Sequence, residues 1–327
     1  MVFLNVLILI AGFAALIKGA DLFVDGSASL ARIFRVPVMI VGLTIVAMGT
    51  SAPELAVSTI AALEGSNEIA VSNVVGSNIF NLLMVLGICA VVRPIPVDAR
   101  VLKRDFTVAT VPTAALFLLM GGLGLFGGEL FHTGMNAVAG TVTRPIALAL
   151  LAVFAGYIFL LVRAARKSRR KEEDSEGAEY TKGKCAGLIL IGAVLIIAGG
   201  QGVVYAAKEI ARALGMTETL IGLTVVSVGT SLPELVTSLV AARKDETELA
   251  VGNAIGSNIF NMLMILGVSA AIHPVTVNVA SVWDLLILIV ITLMTWLFAL
   301  AGKKISRAEG LLMVAAYAAV VAFAVIR

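Results

Sequence analysis

Apolar residues fill ten long segments of this chain, and polar and charged residues collect in the shorter stretches between them. Each segment is close to the roughly 20 residues that an α-helix needs to cross a lipid bilayer. The segments are 2–30, 37–63, 67–92, 106–126, 144–163, 185–211, 218–242, 247–272, 281–301 and 308–326. The pattern therefore predicts an all-α integral membrane protein with ten transmembrane helices.

The composition supports the same class of protein. Of the 327 residues, 60% are hydrophobic and 14% are charged, and the mean hydropathy is +1.04. A soluble domain carries about 25% charged residues. The net charge of +3 resides mainly in loops and indicates no nucleic-acid partner. Cys89 and Cys185 are too isolated to suggest a disulfide framework or a metal site.

Two motifs occur twice at a constant offset of 180 residues. Residues 49–55 read Gly-Thr-Ser-Ala-Pro-Glu-Leu and return as residues 229–235 with Leu in place of Ala. Residues 76–81 read Gly-Ser-Asn-Ile-Phe-Asn and return unchanged as residues 256–261. The same offset in both pairs indicates that the chain is an internal duplication.

The duplication predicts two repeats of five helices, residues 1–163 and residues 185–327, joined by a linker loop, residues 164–184. Because five is an odd number, the second repeat enters the membrane from the opposite side. Inverted repeats of this kind are a common way to build a transporter with two access states.

Lys and Arg residues give the predicted orientation. If the N-terminus is external, about 19 of the 24 Lys and Arg residues lie in inside loops and four lie outside. This is a strong positive-inside bias. Both termini are thus predicted to be external to the cell (inner) membrane, and the linker loop is predicted to be cytoplasmic. The linker reads as a solvated loop, with a lipid-headgroup contact through residues 166–171 as an open alternative.

Each copy of the first motif places a carboxylate and a proline inside an apolar segment. Thr50, Glu54 and Ser58 share one face of a helix. Pro53 lacks a backbone N–H and clashes with the carbonyl of Gly49, so helix 2 should be broken there, and helix 7 likewise. An ionisable residue within a membrane segment indicates a functional site.

The second motif adds amide and hydroxyl groups. Asn73, Ser77 and Asn81 are spaced four residues apart, and the same residues recur 180 positions later. One Pro-Glu pair could be a structural kink, and one Asn stripe could join helices, but both occur twice in register. We therefore predict a mid-membrane pocket in which Glu54 and Glu234 meet neutral oxygens, which are ligands that hard cations such as Ca²⁺ prefer.

These two motifs resemble the signature repeats of the sodium/calcium exchangers, in the cation/Ca²⁺ exchanger superfamily, and the resemblance covers nearly the full chain. It implies exchange of external Na⁺ for cytoplasmic Ca²⁺, three for one, with helices 1 and 6 as the moving pair. It also implies metal ligands at Ala47, Thr50, Ser51, Glu54, Ser77, Asn81, Ser227, Thr230, Ser231, Glu234, Ser257 and Asn261. Asn261 stands where potassium-dependent members carry Asp, which argues against a K⁺ requirement.

The preferred interpretation is an electrogenic Na⁺/Ca²⁺ antiporter that works by alternating access, needs no cofactor and requires only one chain. A Ca²⁺/H⁺ antiporter, in which Glu54 and Glu234 take up protons, is the nearest alternative. A cation channel lined by the broken helices is another. An intramembrane hydrolase using Ser51 or Ser231 is disfavoured because no His or Lys base lies near either serine in the sequence, so we predict no enzymatic activity.

Overall fold

The computed structural model describes residues 2–65, 67–128, 133–168, 180–216 and 227–326. The α-helices are α1 (Val2–Phe34), α2 (Val38–Val41), α3 (Ala47–Thr50), α4 (Ala52–Leu63), α5 (Asn67–Phe80), α6 (Gly87–Val92), α7 (Phe106–Leu119), α8 (Leu123–Phe126), α9 (Arg144–Ser168), α10 (Lys182–Ala213), α11 (Ser227–Gly229), α12 (Leu232–Arg243), α13 (Thr247–Ile259), α14 (Leu266–Ile272), α15 (Val279–Gly302) and α16 (Arg307–Ile326). Four π-helical segments join several of them: π1 (Gly42–Val46), π2 (Asn81–Leu86), π3 (Val101–Asp105) and π4 (Phe260–Ile265). The short strands are β1 (Ile95–Pro96), β2 (Val138–Val142), β3 (Val275–Asn278) and β4 (Lys304–Ile305).

The fold is an all-helical membrane fold, as predicted. Within the described residues, seven helices are long and apolar enough to cross a membrane. The count is eight if Val38–Thr50 and Ala52–Leu63, which are bent by 49° at a short break, form one span. The helix at the predicted segment 106–126 runs through π3 and α7 from Val101 to Leu119 and is not among these seven, and the segment 218–242 begins outside the described residues. The count of ten transmembrane helices therefore stays a prediction.

Two continuous spans, Ile69–Val92 and Thr247–Ile272, form the centre of the molecule. In each, 78% of the most apolar stretch is buried, against 11% to 33% in the five other long spans. The second central span packs against the half-helix of α2, π1 and α3. At this contact a Cβ added to Gly256 would lie 2.8 Å from the Cβ of Ala47, so the close approach requires glycine.

The two longest helices, α1 and α10, pack along each other through glycines. A Cβ on Gly199 would lie 2.7 Å from the carbonyl oxygen of Gly12, and a Cβ on Gly19 would lie 2.8 Å from the carbonyl oxygen of Gly192. Small residues let the backbones of membrane helices approach closely, which increases their van der Waals contact. These helices are therefore one closely packed unit.

The loops with most of the basic residues meet at one end of the molecule, which we call the basic face. Strand β1 pairs there with β4, Ile95 opposite Ile305. Arg93 pairs there with Asp245, and Lys244 pairs with Asp25 at 2.7 Å. Strands β2 and β3 pair at the other end, which we call the opposite face. This grouping of loops is the one that the positive-inside pattern predicts. Which face is cytoplasmic stays a prediction.

Ion pairs hold the basic face together around the turn between α12 and α13. Lys244 pairs with both Asp21 and Asp25 of α1. The next residue in the chain, Asp245, contacts Arg93 at the end of α6, and Glu246 contacts Arg32 near the end of α1. Three consecutive residues thus connect this turn to two other helices.

Candidate functional site

The first broken helix changes direction at Ser51. Its backbone angles, φ −84° and ψ 10°, leave the α-helical range, and α4 begins at the next residue with Pro53 in its first turn. Because proline has no N–H, it fits the first turn of a helix and not its interior. The predicted break of helix 2 is therefore observed, and it places Glu54 in the first turn of α4.

The second copy repeats this local structure in the part that is described. Ser231 has φ −93° and ψ 6°, and α12 begins with Pro233 and Glu234 in its first turn. The residues that would complete the preceding half-helix, 217–226, lie outside the described residues. The two carboxylates thus start equivalent helices.

The serines of the two copies exchange hydrogen bonds with the two carboxylates. Ser51 donates to Oε1 of Glu234 at 2.7 Å, and Ser231 donates to Oε1 of Glu54 at 3.2 Å. All four residues have no solvent exposure. The structure therefore brings Glu54 and Glu234 to one centre, as the duplication predicts.

Asparagines of the central spans support the backbone at each break. The Asn73 amide donates to the carbonyl of Glu54 at 3.3 Å and to the hydroxyl of Ser58 at 2.9 Å. In the second copy, Asn253 makes the corresponding bonds to Glu234 and Ser238 at the same two distances. These bonds fix both carboxylate-bearing helices to the central spans.

Thr50 and Thr230 are counterparts that differ in their contacts. Thr50 is fully buried and donates to Oδ1 of Asn253 at 2.9 Å. The hydroxyl of Thr230 has no hydrogen-bond partner among the described residues. The two copies therefore match at their serines, carboxylates and asparagines, and they differ at this threonine.

Ser77 and Ser257 lie beside the carboxylates, and Asn81 and Asn261 are fully buried one helical turn further along the same spans. Ser257 contacts Oε1 of Glu234 at 3.5 Å, and Ser77 lies beside the carboxyl of Glu54. Asn81 begins π2, and Asn261 lies in π4. A π-helical turn inside an α-helix often marks a functional site, and both amides lie in such a turn and are fully buried.

The sequence interpretation assigned no role to Asn78 and Asn258, which join the two central spans. The Asn78 amide donates to the carbonyl of Asn258 at 3.2 Å, and the Asn258 amide donates to the carbonyl of Asn78 at 3.1 Å. Asn261 donates to Oδ1 of Asn78 at 3.1 Å. The sequence feature that could have identified them is their recurrence at the same position of the repeated motif.

The remaining predicted ligands are placed less completely. Ala47 is buried, and its Cβ lies against Gly256. Ser227 begins α11, and its side chain lies outside the described part of the chain. The structure thus brings eight of the predicted side chains to the two carboxylates or to the edge of the cavity. Asn81 and Asn261 are buried in π2 and π4, and Ala47 contributes packing.

Several buried oxygens at this centre lack a hydrogen-bond partner among the described residues. They are Oε2 of Glu54, Oε2 of Glu234, Oδ1 of Asn81, Oδ1 of Asn258, Oδ1 of Asn261 and Oγ1 of Thr230. Burying a polar group without a partner costs free energy, and burying a charge without one costs more. Oxygen donors of this kind are the preferred ligands of hard cations. Within the described residues no group of three His, Cys, Asp or Glu could hold a metal ion, so neutral oxygens would have to complete the coordination.

A cavity of about 410 Å³ leads toward this centre from the opposite face. It lies between α4, α10 and the start of α12, and its lining includes Pro53, Gln201, Lys208, Thr230 and Pro233. Because Thr230 also belongs to the candidate site, the cavity reaches the edge of the site.

Buried carboxylates, kinked half-helices and unpaired oxygen ligands at the centre of a helical membrane protein are typical of cation transporters. Residues 4–163 and 184–326 match the sodium/calcium exchanger protein family. The chain therefore belongs to the sodium/calcium exchanger family, whose members are transporters of Na⁺ and Ca²⁺ and not enzymes.

Individual relatives and a solved structure are similar to most of this chain. The chain is 38% identical over 320 residues to the putative antiporter CaxA of Alkalimonas amylolytica, with 94% of each chain covered. It is 36% identical over 275 residues to the inner membrane protein YrbG of Escherichia coli strain K12, with 82% of this chain and 79% of the relative covered. A solved structure of the sodium-calcium exchanger NCX_Mj, soaked with Na⁺ and Ca²⁺, superimposes with a TM-score of 0.81 at 30% identity over 100% of both chains.

Proposed function

We propose that this protein is an electrogenic Na⁺/Ca²⁺ antiporter whose cations bind between the two repeats at mid-membrane depth. One observation carries the proposal. Glu54 and Glu234 are fully buried, each accepts hydrogen bonds through Oε1, and Oε2 of each lacks a partner among the described residues. A bound cation would supply the missing interaction.

The charge of the site accounts for exchange instead of leak. Two ionised carboxylates carry a charge of −2, which one Ca²⁺ or two Na⁺ neutralise and which a third Na⁺ converts to +1. Removing unpaired charge from water costs several kcal/mol per ion, so a site without cations should change its access slowly. Exchange of three Na⁺ for one Ca²⁺ moves one net charge, and a potential of 100 mV contributes about 2.3 kcal/mol to that step.

The reciprocal contacts favour alternating access between inverted repeats. A two-fold relation requires that each contact have a mate with the roles exchanged. The bonds of Ser51 and Ser231 and those of Asn78 and Asn258 meet this condition. We infer that α1 and α10 move together over the central spans, and that the opposite face is open and the basic face closed in the state described.

The twelve proposed ligands are those named from the sequence, with Glu54 and Glu234 as the ionised pair. Ala47 and Ser227 would act through their backbone carbonyls or their packing, and the hydroxyl and amide side chains would supply neutral oxygens. The repeats 1–163 and 185–327 would be the two halves of the transporter, and a single chain would suffice.

The localisation that we propose is the inner membrane, with the basic face in the cytoplasm and both termini outside. The name of the Escherichia coli relative supports the inner membrane, and the positive-inside distribution of Lys and Arg supports the orientation. A single reporter cysteine placed at residue 327 and labelled from outside in intact cells tests it. Labelling only after lysis would contradict it.

The decisive experiment is ⁴⁵Ca²⁺ uptake into proteoliposomes with the Na⁺, K⁺ and H⁺ gradients varied independently. We expect uptake that follows the outward Na⁺ gradient, persists with a protonophore and responds to membrane potential. The alternative of Ca²⁺/H⁺ exchange is supported by the same observation, because a proton on either carboxyl would also neutralise the buried charge. Uptake that follows the pH gradient and ignores Na⁺ would establish that alternative.

A further inference from the structure

A groove on the lipid-facing side of the molecule has no place in the exchange mechanism. It lies between the end of α1, the half-helix formed by α2, π1 and α3, and the last turns of α9. Its volume is about 400 Å³. Its wall is almost wholly apolar, with Phe34, Thr44, Met48, Ile158 and Arg166 among the lining residues.

The length of the groove corresponds to one leaflet of a bilayer. On α9 the lining runs from Ile158 to Arg166, which is eight residues further along the helix, or about 12 Å at the rise of an α-helix. The hydrocarbon of one leaflet is about 15 Å thick. The groove thus extends from the headgroup level at Arg166 toward the bilayer centre at Ile158, and its shape suits an acyl chain that lies along the helices.

Two cations stand at the end of the groove nearest the basic face. Arg166 is part of the lining, and Nζ of Lys182 lies 5.5 Å from the centroid of the Phe34 ring, which also lines the groove. Neither Arg166 nor Lys182 forms an ion pair with any residue in the described ranges. An apolar groove with two cationic side chains at its headgroup end is complementary to a lipid that carries negative charge.

We propose that this groove binds one anionic phospholipid of the leaflet on the basic face. An acyl chain lies between α9 and the half-helix, and the phosphate contacts Arg166 and Lys182. Each basic residue near an anionic lipid surface contributes about a fivefold preference. The two cations therefore set the selectivity, and the apolar wall holds the chain.

The position of the groove gives the lipid a way to act on the candidate site. Thr44, Ile45 and Met48 line it from the half-helix, and Thr50 at the end of the same half-helix donates to Asn253. An acyl chain in the groove contacts the outer side of the half-helix formed by α2, π1 and α3. The inner side of that half-helix packs on Gly256. This consequence for transport rests on the proposed function, whereas lipid binding itself does not.

The test uses a single tryptophan as a local reporter of lipid contact. Trp283 and Trp296 are replaced by Phe, and Val162→Trp puts the reporter in the groove wall. Leu160→Trp, on the same helix outside the groove and with similar exposure (48% against 44%), is the matched control. Quenching by brominated phosphatidylglycerol and by brominated phosphatidylcholine is compared in vesicles of each composition.

At residue 162 we expect phosphatidylglycerol to be preferred over phosphatidylcholine by about fivefold or more, with no preference at residue 160. Arg166→Gln with Lys182→Gln should remove the preference, and Arg163→Gln, an exposed arginine on α9 that does not line the groove, should not. Equal quenching by both lipids at residue 162 would overturn the proposal. So would a preference that arises only when Glu172, Glu173, Asp174 and Glu176 are neutralised, because the linker would then be the occupant.

A second arm measures Na⁺-driven Ca²⁺ uptake in liposomes with and without phosphatidylglycerol. We expect anionic lipid to raise the rate severalfold in the parent and less in the Arg166→Gln, Lys182→Gln variant. If quenching is selective but transport does not depend on the lipid, the lipid site is supported and its proposed effect on the half-helix is refuted. Absent transport in every lipid would count against the proposed function alone, since the quenching arm needs no transport.

Discussion

The two copies of the repeated motif have the same interior and different surroundings. Asn73 and Asn253 make matching bonds at identical distances, and each serine reaches the carboxylate of the other copy. Around this interior, the first half-helix is packed against Gly256 and Thr50 is bonded to Asn253.

At the second break, at Ser231, the corresponding positions are open. Gly76, the counterpart of Gly256, is exposed, and no atom of the described residues lies within 4 Å of a Cβ built on it. Thr230, the counterpart of Thr50, lines the cavity from the opposite face. The comparison teaches that ligand geometry and access are separate properties, because the ligands can stay symmetric while only one side of the molecule opens.

The largest expected effect falls on the symmetric interior. Glu54→Gln and Glu234→Gln should each weaken Ca²⁺ binding about a hundredfold or more, since loss of one partner of a buried charge interaction costs about 3–5 kcal/mol. Ca²⁺ titration of Na⁺-driven uptake measures this. Glu64→Gln, an exposed carboxylate after α4, is the control and should leave uptake unchanged. Normal exchange in either Gln variant would refute the proposed site.

The next effect separates the packed first break from the open second break. Gly256→Ala forces a Cβ to within 2.8 Å of Ala47 and Leu43, and overpacking of this kind costs about 1–3 kcal/mol. We expect it to favour release of the half-helix, with about tenfold less labelling of Tyr205→Cys in the cavity by an impermeant maleimide. Gly76→Ala is the counterpart and should preserve or raise labelling. The same change in both variants would mean that the packing difference does not control access.

A smaller effect should distinguish the two asparagines. Asn253→Ala removes bonds to Glu234, Ser238 and Thr50, whereas Asn73→Ala removes only two bonds, to Glu54 and Ser58. Each lost bond costs about 1 kcal/mol. We therefore expect exchange to fall about tenfold or more for Asn253→Ala and less for Asn73→Ala, measured as the initial rate of uptake at equal protein density. An equal loss of exchange in both variants would show that the hydrogen bond from Thr50 to Asn253 does not contribute to exchange.

The smallest effect concerns the closure of the basic face. Lys244→Gln removes the contacts of Lys244 with Asp21 and Asp25, which are partly exposed pairs worth about 0.2–1 kcal/mol each. We expect labelling of Tyr205→Cys to fall a fewfold, because the closed state of that face loses support. High salt should reproduce part of the effect in the parent. Arg243→Gln, an exposed neighbour, serves as the control, and an equal response there would rule out a specific role for Lys244.

The sequence predicted the interior of the site better than its surroundings. The 180-residue offset and the position of Pro53 are enough to infer the break at Ser51 and the meeting of Glu54 with Glu234, because both follow from local backbone rules and repetition. The bonds between Asn78 and Asn258 depend on how two buried helices cross, which no local pattern contains.

The sequence also did not predict which side of the molecule is open. Gly76 and Gly256 lie in identical motifs, yet one is exposed and the other is packed, so identical residues have different environments. Hydropathy likewise marks residues 106–126 as apolar without revealing that the helix begins with π3 at Val101 and ends at Leu119.

The glycine contacts between α1 and α10 have a consequence for the origin of this architecture. Gly12 meets Gly199 and Gly19 meets Gly192, and under the 180-residue offset each of these contacts becomes the other. A half-length ancestor could therefore have made the same interface with a second copy of itself as a homodimer. In such a fused chain each half can diverge. Gln201 and Tyr205, which line the cavity, now stand at the positions that correspond under the offset to Asp21 and Asp25, which pair with Lys244.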